Sequence, residues 1–107
     1  MRRGDLYRVQ RPSGDPKRFR VFVVASRQPS IDSNFSSVIC APVLSSGTGL
    51  ATQVAVGTGQ GLKHESWIFC DGLMSVRKSE LTNFVGSLSP AKLTELDQAL
   101  KRALGLP

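Results

Sequence analysis

Apolar residues fall in short bursts along most of this chain, and only near the C-terminus do they settle into a helical period. The longest burst is Phe19-Arg20-Val21-Phe22-Val23-Val24-Ala25-Ser26, rich in β-branched and aromatic residues. Such a run predicts a central strand buried on both faces. Ahead of it, Leu6-Tyr7-Arg8-Val9 alternates apolar and polar, as a half-exposed strand does. Between them lies the polar, turn-prone segment Gln10-Arg11-Pro12-Ser13-Gly14-Asp15-Pro16-Lys17-Arg18. The two strands should therefore pair antiparallel across a loop too long for a tight hairpin, the kind of loop that often carries function. Phe35 to Val43 predicts a third strand, ended by Pro42 and the turn Ser45-Ser46-Gly47-Thr48-Gly49. Leu50 to Val56 predicts a fourth strand and Ser66 to Cys70 a fifth. Leu73 to Val76 continues the fifth or adds a sixth, and Phe84 to Leu88 is the last. Arg27 to Ser33 reads as a loop with room for one helical turn, and Ser79 to Thr82 as a short helical turn.

The period then changes. Ser89 is placed as an N-cap with Pro90 at the first helical position. Leu93, Leu96, Leu100 and Leu104 follow at spacings of three, four and four, with Ala99 and Ala103 beside them, which makes one apolar stripe. Gly105 ends the helix and Pro107 forbids its continuation. Short strands followed by one amphipathic helix predict a mainly β fold. The expectation is a small SH3-like barrel of strongly bent antiparallel strands, with the helix closing one side.

Composition narrows the class. The 107 residues suit a single domain, 1–107, with one modest core. No apolar run approaches the ~18 to 20 residues of a membrane span. Basic residues at the N-terminus have no apolar segment behind them, so no signal peptide is expected and the protein is read as cytoplasmic. Cys40 and Cys70 sit inside apolar runs. They read as buried thiols in a reducing compartment, with a disulfide between neighbouring strands as the other option. One histidine and no close cysteine pair give no zinc pattern, and no metal or cofactor is expected.

Fourteen basic residues against eight acidic ones leave a charge of +6. The excess is concentrated early: Arg2, Arg3, Arg8, Arg11, Lys17, Arg18, Arg20 and Arg27 precede residue 30, against Asp5 and Asp15. That balance suits a polyanionic partner, with nucleic acid first and an acidic protein next. Arg20 interrupts the central strand just where the basic loop enters it. A guanidinium there is placed to grip a phosphate, because its planar fork stays charged and donates two parallel hydrogen bonds; the alternative is an edge arginine reaching to water. Arg11, Lys17 and Arg18 are candidates to track a phosphate backbone. His64 is the one side chain that titrates near neutrality unaided, and it becomes an acid/base candidate only if it faces Arg20. Trp67 suits base stacking, core or an interface. Gly57-Thr58-Gly59-Gln60-Gly61 lacks the following helix and the Lys-Ser/Thr pair of a phosphate loop, so it reads as a flexible turn.

Taken together, several stretches resemble the MazF/PemK toxins. Met1-Arg2-Arg3-Gly4-Asp5-Leu6-Tyr7 resembles their opening. Arg18-Phe19-Arg20-Val21-Phe22-Val23-Val24-Ala25-Ser26 is similar to their second strand, and Val38-Ile39-Cys40-Ala41-Pro42 to their third. Cys70-Asp71-Gly72-Leu73-Met74-Ser75-Val76 resembles their Asp-Gln-apolar-Arg-Thr-apolar element, and Phe84 to Ser89 with the final helix resembles their C-terminus. The resemblance implies a homodimeric SH3-like barrel that cleaves single-stranded RNA without metal. It also implies restraint by an antitoxin whose acidic tail lies in the RNA groove. The implied reaction is attack of a ribose 2′-OH on its own 3′ phosphodiester, giving a 2′,3′-cyclic phosphate and a 5′-OH. By position Arg20 matches the family's catalytic arginine. The family's threonine falls at Leu44, so Ser45 is taken to supply the hydroxyl, with Ser46 as the other choice. Asp71 matches an aspartate that positions or reads RNA. Gly72 and Met74 replace the usual glutamine and arginine, and Phe69 stands where some members carry a second catalytic arginine. Arg11, Lys17, Arg18, Ser46 and His64 complete the expected RNA contacts. Two other readings stand beside this one. A gyrase inhibitor of the CcdB type would share the fold, but its Trp-Gly-Ile tail is replaced here by Leu104-Gly105-Leu106-Pro107. A degenerate barrel would bind RNA or antitoxin without cutting.

Overall fold

A computed structural model describes residues 1–10 and 19–107 of the chain. The described residues form strands β1 (Asp5–Gln10), β2 (Phe19–Val24), β3 (Ser37–Leu44), β4 (Gln53–Val56), β5 (Ser66–Phe69), β6 (Met74–Arg77) and β7 (Asn83–Ser87). Two α-helices accompany them, α1 (Gln28–Asp32) and α2 (Pro90–Leu104). All strand pairs are antiparallel and belong to one sheet in the order β4-β5-β3-β2-β1-β7, with β6 pairing to β3 off that path.

β3 pairs with three other strands. One of its edges pairs with β2 through Cys40 to Val43. The other edge is shared: Ser37 to Cys40 pair with β6, and Val43 and Leu44 pair with β5. The sheet curls into a half-barrel, in keeping with the small, strongly bent antiparallel barrel that the strand pattern led one to expect.

The central strand is buried on both faces, as its composition requires. Val21 and Val23 join Leu6, Ala41, Ile68 and Leu96 in one core cluster. Phe22 and Val24 point the other way, into a second cluster with Tyr7, Ile31, Cys40 and Leu81. Period-two alternation thus feeds two cores from a single strand. The two cysteines fall one to each cluster and both are free thiols.

α2 covers the first core. The Ser89 hydroxyl accepts the Lys92 N–H (3.2 Å), Pro90 opens the helix and Gly105 closes it at φ 68°. Leu96 and Ala99 are buried, and Leu93, Leu100 and Ala103 pack against the cluster. Leu104 lies on the same stripe but is exposed. α1 realises the helical turn anticipated between Arg27 and Ser33. The fourth strand is shorter than its apolar pattern suggested: it starts at Gln53, and Leu50 is exposed ahead of it.

The glycine run after β4 differs from expectation. It is a packed 3₁₀ turn (Thr58–Gln60) in which Gln60 Oε1 accepts the Gly57 N–H at 2.7 Å. Gly61 takes φ 90°, and a Cβ there would overlap the Val85 carbonyl. A Cβ on Gly86 would overlap the Gln60 carbonyl. The two backbones meet with no room for side chains, so this turn closes the β4–β5 end of the sheet onto β7. Of the turn's glycines it is Gly61 that serves this close approach; a Cβ on Gly59 would meet nothing within 4 Å. β7 is bulged at the same place, pairing Gly86 with Leu6 and Phe84 with Tyr7.

The N-terminal arginine-glycine-aspartate opening is also structural. Asp5 is buried; its Oδ2 accepts the Arg2 N–H (2.9 Å) and its Oδ1 the Ser87 hydroxyl (2.7 Å). Arg3 donates from Nε to the Ala25 carbonyl (3.0 Å) and sets Nη1 2.8 Å from Asp97 on α2. Among the described residues no helix is long and apolar enough to cross a membrane.

Candidate active site

The register of β1 and β2 sets Arg20 opposite Val9, on the sheet face that carries Phe22 and Val24. Arg20 is half-buried and lines a cleft of about 340 Å³. One wall of this cleft is the β1–β2 ribbon, contributing Val9, Gln10, Arg20 and Phe22. The other wall is β6 and the turn behind it, contributing Met74, Ser75, Val76 and Glu80. Among the described residues, a guanidinium therefore shares a mainly apolar cleft with one carboxylate, one hydroxyl and one amide. Apolar walls lower the local dielectric, so charges here act more strongly than on open surface.

Of the predicted site residues in the described chain, Arg20 alone lines this cleft. Arg11, Lys17 and Arg18 lie outside the described residues. Val21 stands opposite Val43 in the β2–β3 ladder, so one step further the register carries Arg20 to Leu44, the place of the expected threonine. Ser45 and Ser46 follow, exposed, where β3 ends. Asp71 is exposed in the 3₁₀ turn Cys70–Gly72, where its Oδ2 accepts the Thr52 hydroxyl at 2.6 Å. His64 is exposed in the loop before β5, and its carbonyl accepts the Ser66 hydroxyl (3.3 Å). None of these four is among the cleft's lining residues.

The departures at Gly72, Met74 and Phe69 have local consequences. A Cβ on Gly72 would stand 3.1 Å from Pro42 Cγ, so a longer side chain there would press on β3. Met74 lends the cleft an apolar wall where the resemblance expects a cation. Phe69 ends β5 half-buried opposite Gln53. Trp67 is half-buried beneath Gly47, where a Cβ would overlap the indole ring. On the opposite face of β2, the Arg8 guanidinium sits 4.8 Å over the Phe19 ring.

Two lining residues with chemistry were not foreseen. Ser75 belonged to a quoted motif but was given no role. Glu80 fell within Ser79 to Thr82, where only a helical turn was read. Nothing in the local spacing signals either one, because the curl of β6 brings them to Arg20 from more than half the chain away. Among the described residues, no three His, Cys, Asp or Glu side chains are grouped to hold a metal.

These features define a small curled β half-barrel with a C-terminal helix and an arginine-bearing cleft. The chain belongs to the PemK-like, MazF-like toxins of type II toxin–antitoxin systems, whose family model matches residues 2–104. Among solved structures it is similar to the Mycobacterium tuberculosis toxin MazF-mt6, with a TM-score of 0.83 and 23% identity over 96% of this chain and 98% of that one. It is similar to an endoribonuclease in complex with its cognate antitoxin from a mycobacterial species (TM-score 0.82, 24% identity, 98% and 95% covered). A MazE–MazF structure from Deinococcus radiodurans aligns with a TM-score of 0.75 at 16% identity, over 98% of this chain and 94% of that one. At such identities the likeness speaks for the fold.

Proposed function

We propose that this toxin is an endoribonuclease that cuts single-stranded RNA without a metal. In this reading a ribose 2′-OH attacks its own 3′ phosphodiester and leaves a 2′,3′-cyclic phosphate and a 5′-OH. The observation that carries it is Arg20, held on a rigid ribbon inside a concave, partly apolar cleft. There the guanidinium neutralises the charge that grows on the phosphorane. Ser45 supplies a hydroxyl at the end of β3, and Asp71 positions the strand. Arg11, Lys17, Arg18, Ser46 and His64 contact the RNA on either side. The net charge of +6 supports a polyanionic partner. The protein acts as a homodimer and is restrained by an antitoxin whose acidic tail occupies the cationic groove.

The test is cleavage of mixed single-stranded RNA in EDTA by wild type and Arg20→Ala, with the new 5′ ends mapped. Discrete cuts bearing 5′-OH ends are expected. Removing a preorganised donor of this kind costs ~2.7 to 4 kcal/mol of barrier, so the variant should cut roughly 10²- to 10³-fold more slowly. Equal rates, or no cutting by wild type, would remove the nuclease reading. RNA bound but uncut would leave a binding barrel, and inhibited gyrase supercoiling would point to a poison of the CcdB kind.

A further inference from the structure

We infer that Glu80 is the general base of the Arg20 cleft, an inference that rests on the ribonuclease reading above. That reaction needs a proton acceptor beside the phosphate as well as a cation on it. Arg20 stays protonated and cannot accept. Gln10 and Ser75 are not bases near neutral pH. Among the described residues that line the cleft, Glu80 is the one that can take the proton. His64 lies elsewhere.

The backbone turn that carries Glu80 is held in place, with the side chain itself exposed. Glu80 ends the 3₁₀ turn Lys78–Glu80, and the next residue, Leu81, is buried in the second core. The Leu81 N–H donates to the Lys78 carbonyl (3.0 Å). The Lys78 ammonium donates to the carbonyls of Ser30 (3.1 Å) and Ser33 (2.8 Å), which pins the turn against α1. The carboxylate and the guanidinium thus come from two separately anchored walls of one cleft, the arrangement a two-residue constellation needs to keep its geometry.

The step balances within the RNA. The 2′-O–H bond breaks and its proton passes to the Glu80 carboxylate. The 2′-oxygen forms a bond to phosphorus while Arg20 faces the non-bridging oxygens. The P–O5′ bond breaks with its electron pair on O5′, which takes a proton from water, and Glu80 returns its own proton to solvent. No oxidant, metal or second substrate is consumed.

The experiment measures single-turnover cleavage of an oligonucleotide built around a mapped cut, using wild type, Glu80→Gln, Glu80→Asp and Arg20→Ala. Binding is measured separately with the same oligonucleotide carrying a 2′-O-methyl at the cut. General bases contribute roughly 10²- to 10⁴-fold, so Glu80→Gln should cut at least ~100-fold more slowly. It should bind no more weakly than wild type, because the exchange removes a negative charge beside the phosphates. Glu80→Asp should recover part of the rate. If wild type cuts and Arg20→Ala does not, while Glu80→Gln cuts within about fivefold of wild type, Glu80 is not the base and the nuclease reading stands. A Glu80→Gln rate loss matched by an equal binding loss also overturns the assignment. If wild type cuts nothing, the nuclease reading itself has failed.

Discussion

Burial pushes the Cys40 thiol from 9.0 up to about 12, and it pushes Cys70 up to about 11 with the Asp71 carboxylate adding to the effect. Both groups favour the neutral thiol in the folded state. Below the unfolded value, near 9, both states hold the proton and the stabilisation is fully present. As pH rises past that value the unfolded chain ionises first, and stability is lost up to about 11 to 12. The melting temperature should therefore be flat from pH 7 to about 8.5 and fall above 9. A Cys40→Ala/Cys70→Ala variant should show a shallower fall; an identical slope would exclude the thiols. Tyr7, also raised by burial and by Asp5, titrates in the same sense and accounts for part of the remainder. The candidate site was legible at this scale only where a residue broke a local pattern. Arg20 stands out because a cation interrupts an apolar strand. Glu80 does not, because a charged residue in a polar turn is ordinary, and only the curl of β6 gives it a partner.

The elements divide by how local their causes are. α2 was readable almost to the residue, since its cap, its stripe and its terminating glycine all lie within the segment itself. β2 was readable because burial on both faces leaves an unbroken apolar run. The glycine turn after β4 was not, because its shape comes from β7, a strand distant in sequence. Gly86 makes that coupling testable. A methyl group there meets the Gln60 carbonyl, which sits on backbone and cannot swing aside as a side chain would. Gly86→Ala should cost about 1 to 3 kcal/mol, the range for forcing atoms into a packed site. Chemical denaturation should show the loss at an unchanged m-value. Gly59→Ala is the control, since a Cβ there meets nothing within 4 Å. Equal effects at both positions would mean that the closure against β7 contributes nothing.

For the molecule as a whole, the count of fourteen basic residues overstates what a polyanion would meet. Arg3 is paired to Asp97 at 2.8 Å and gives a further hydrogen bond to Ala25. Lys92 lies 3.2 Å from Glu95, Arg8 sits over Phe19, and Lys78 is committed to the end of α1. On the ribonuclease reading, an RNA strand in the Arg20 cleft would draw on a handful of cations, not on the full basic count. Each phosphate neutralised on a single strand contributes ~0.7 to the slope of log affinity against log salt. Arg20 with the proposed contacts from Arg11, Lys17 and Arg18 would make about four such contacts, which predicts a slope of about −2 to −3.5. Fluorescence anisotropy with a 2′-O-methyl-blocked oligonucleotide, between 50 and 300 mM KCl, measures it directly. Arg20→Ala should flatten the slope by about 0.7, the share of one phosphate contact. An Arg27→Ala variant, whose guanidinium Nε is turned to Ser30 Oγ at 3.1 Å, should leave it unchanged. A slope near zero would mean that the strand is held by stacking or not at all, and the cleft would then have to be assigned to a different kind of ligand.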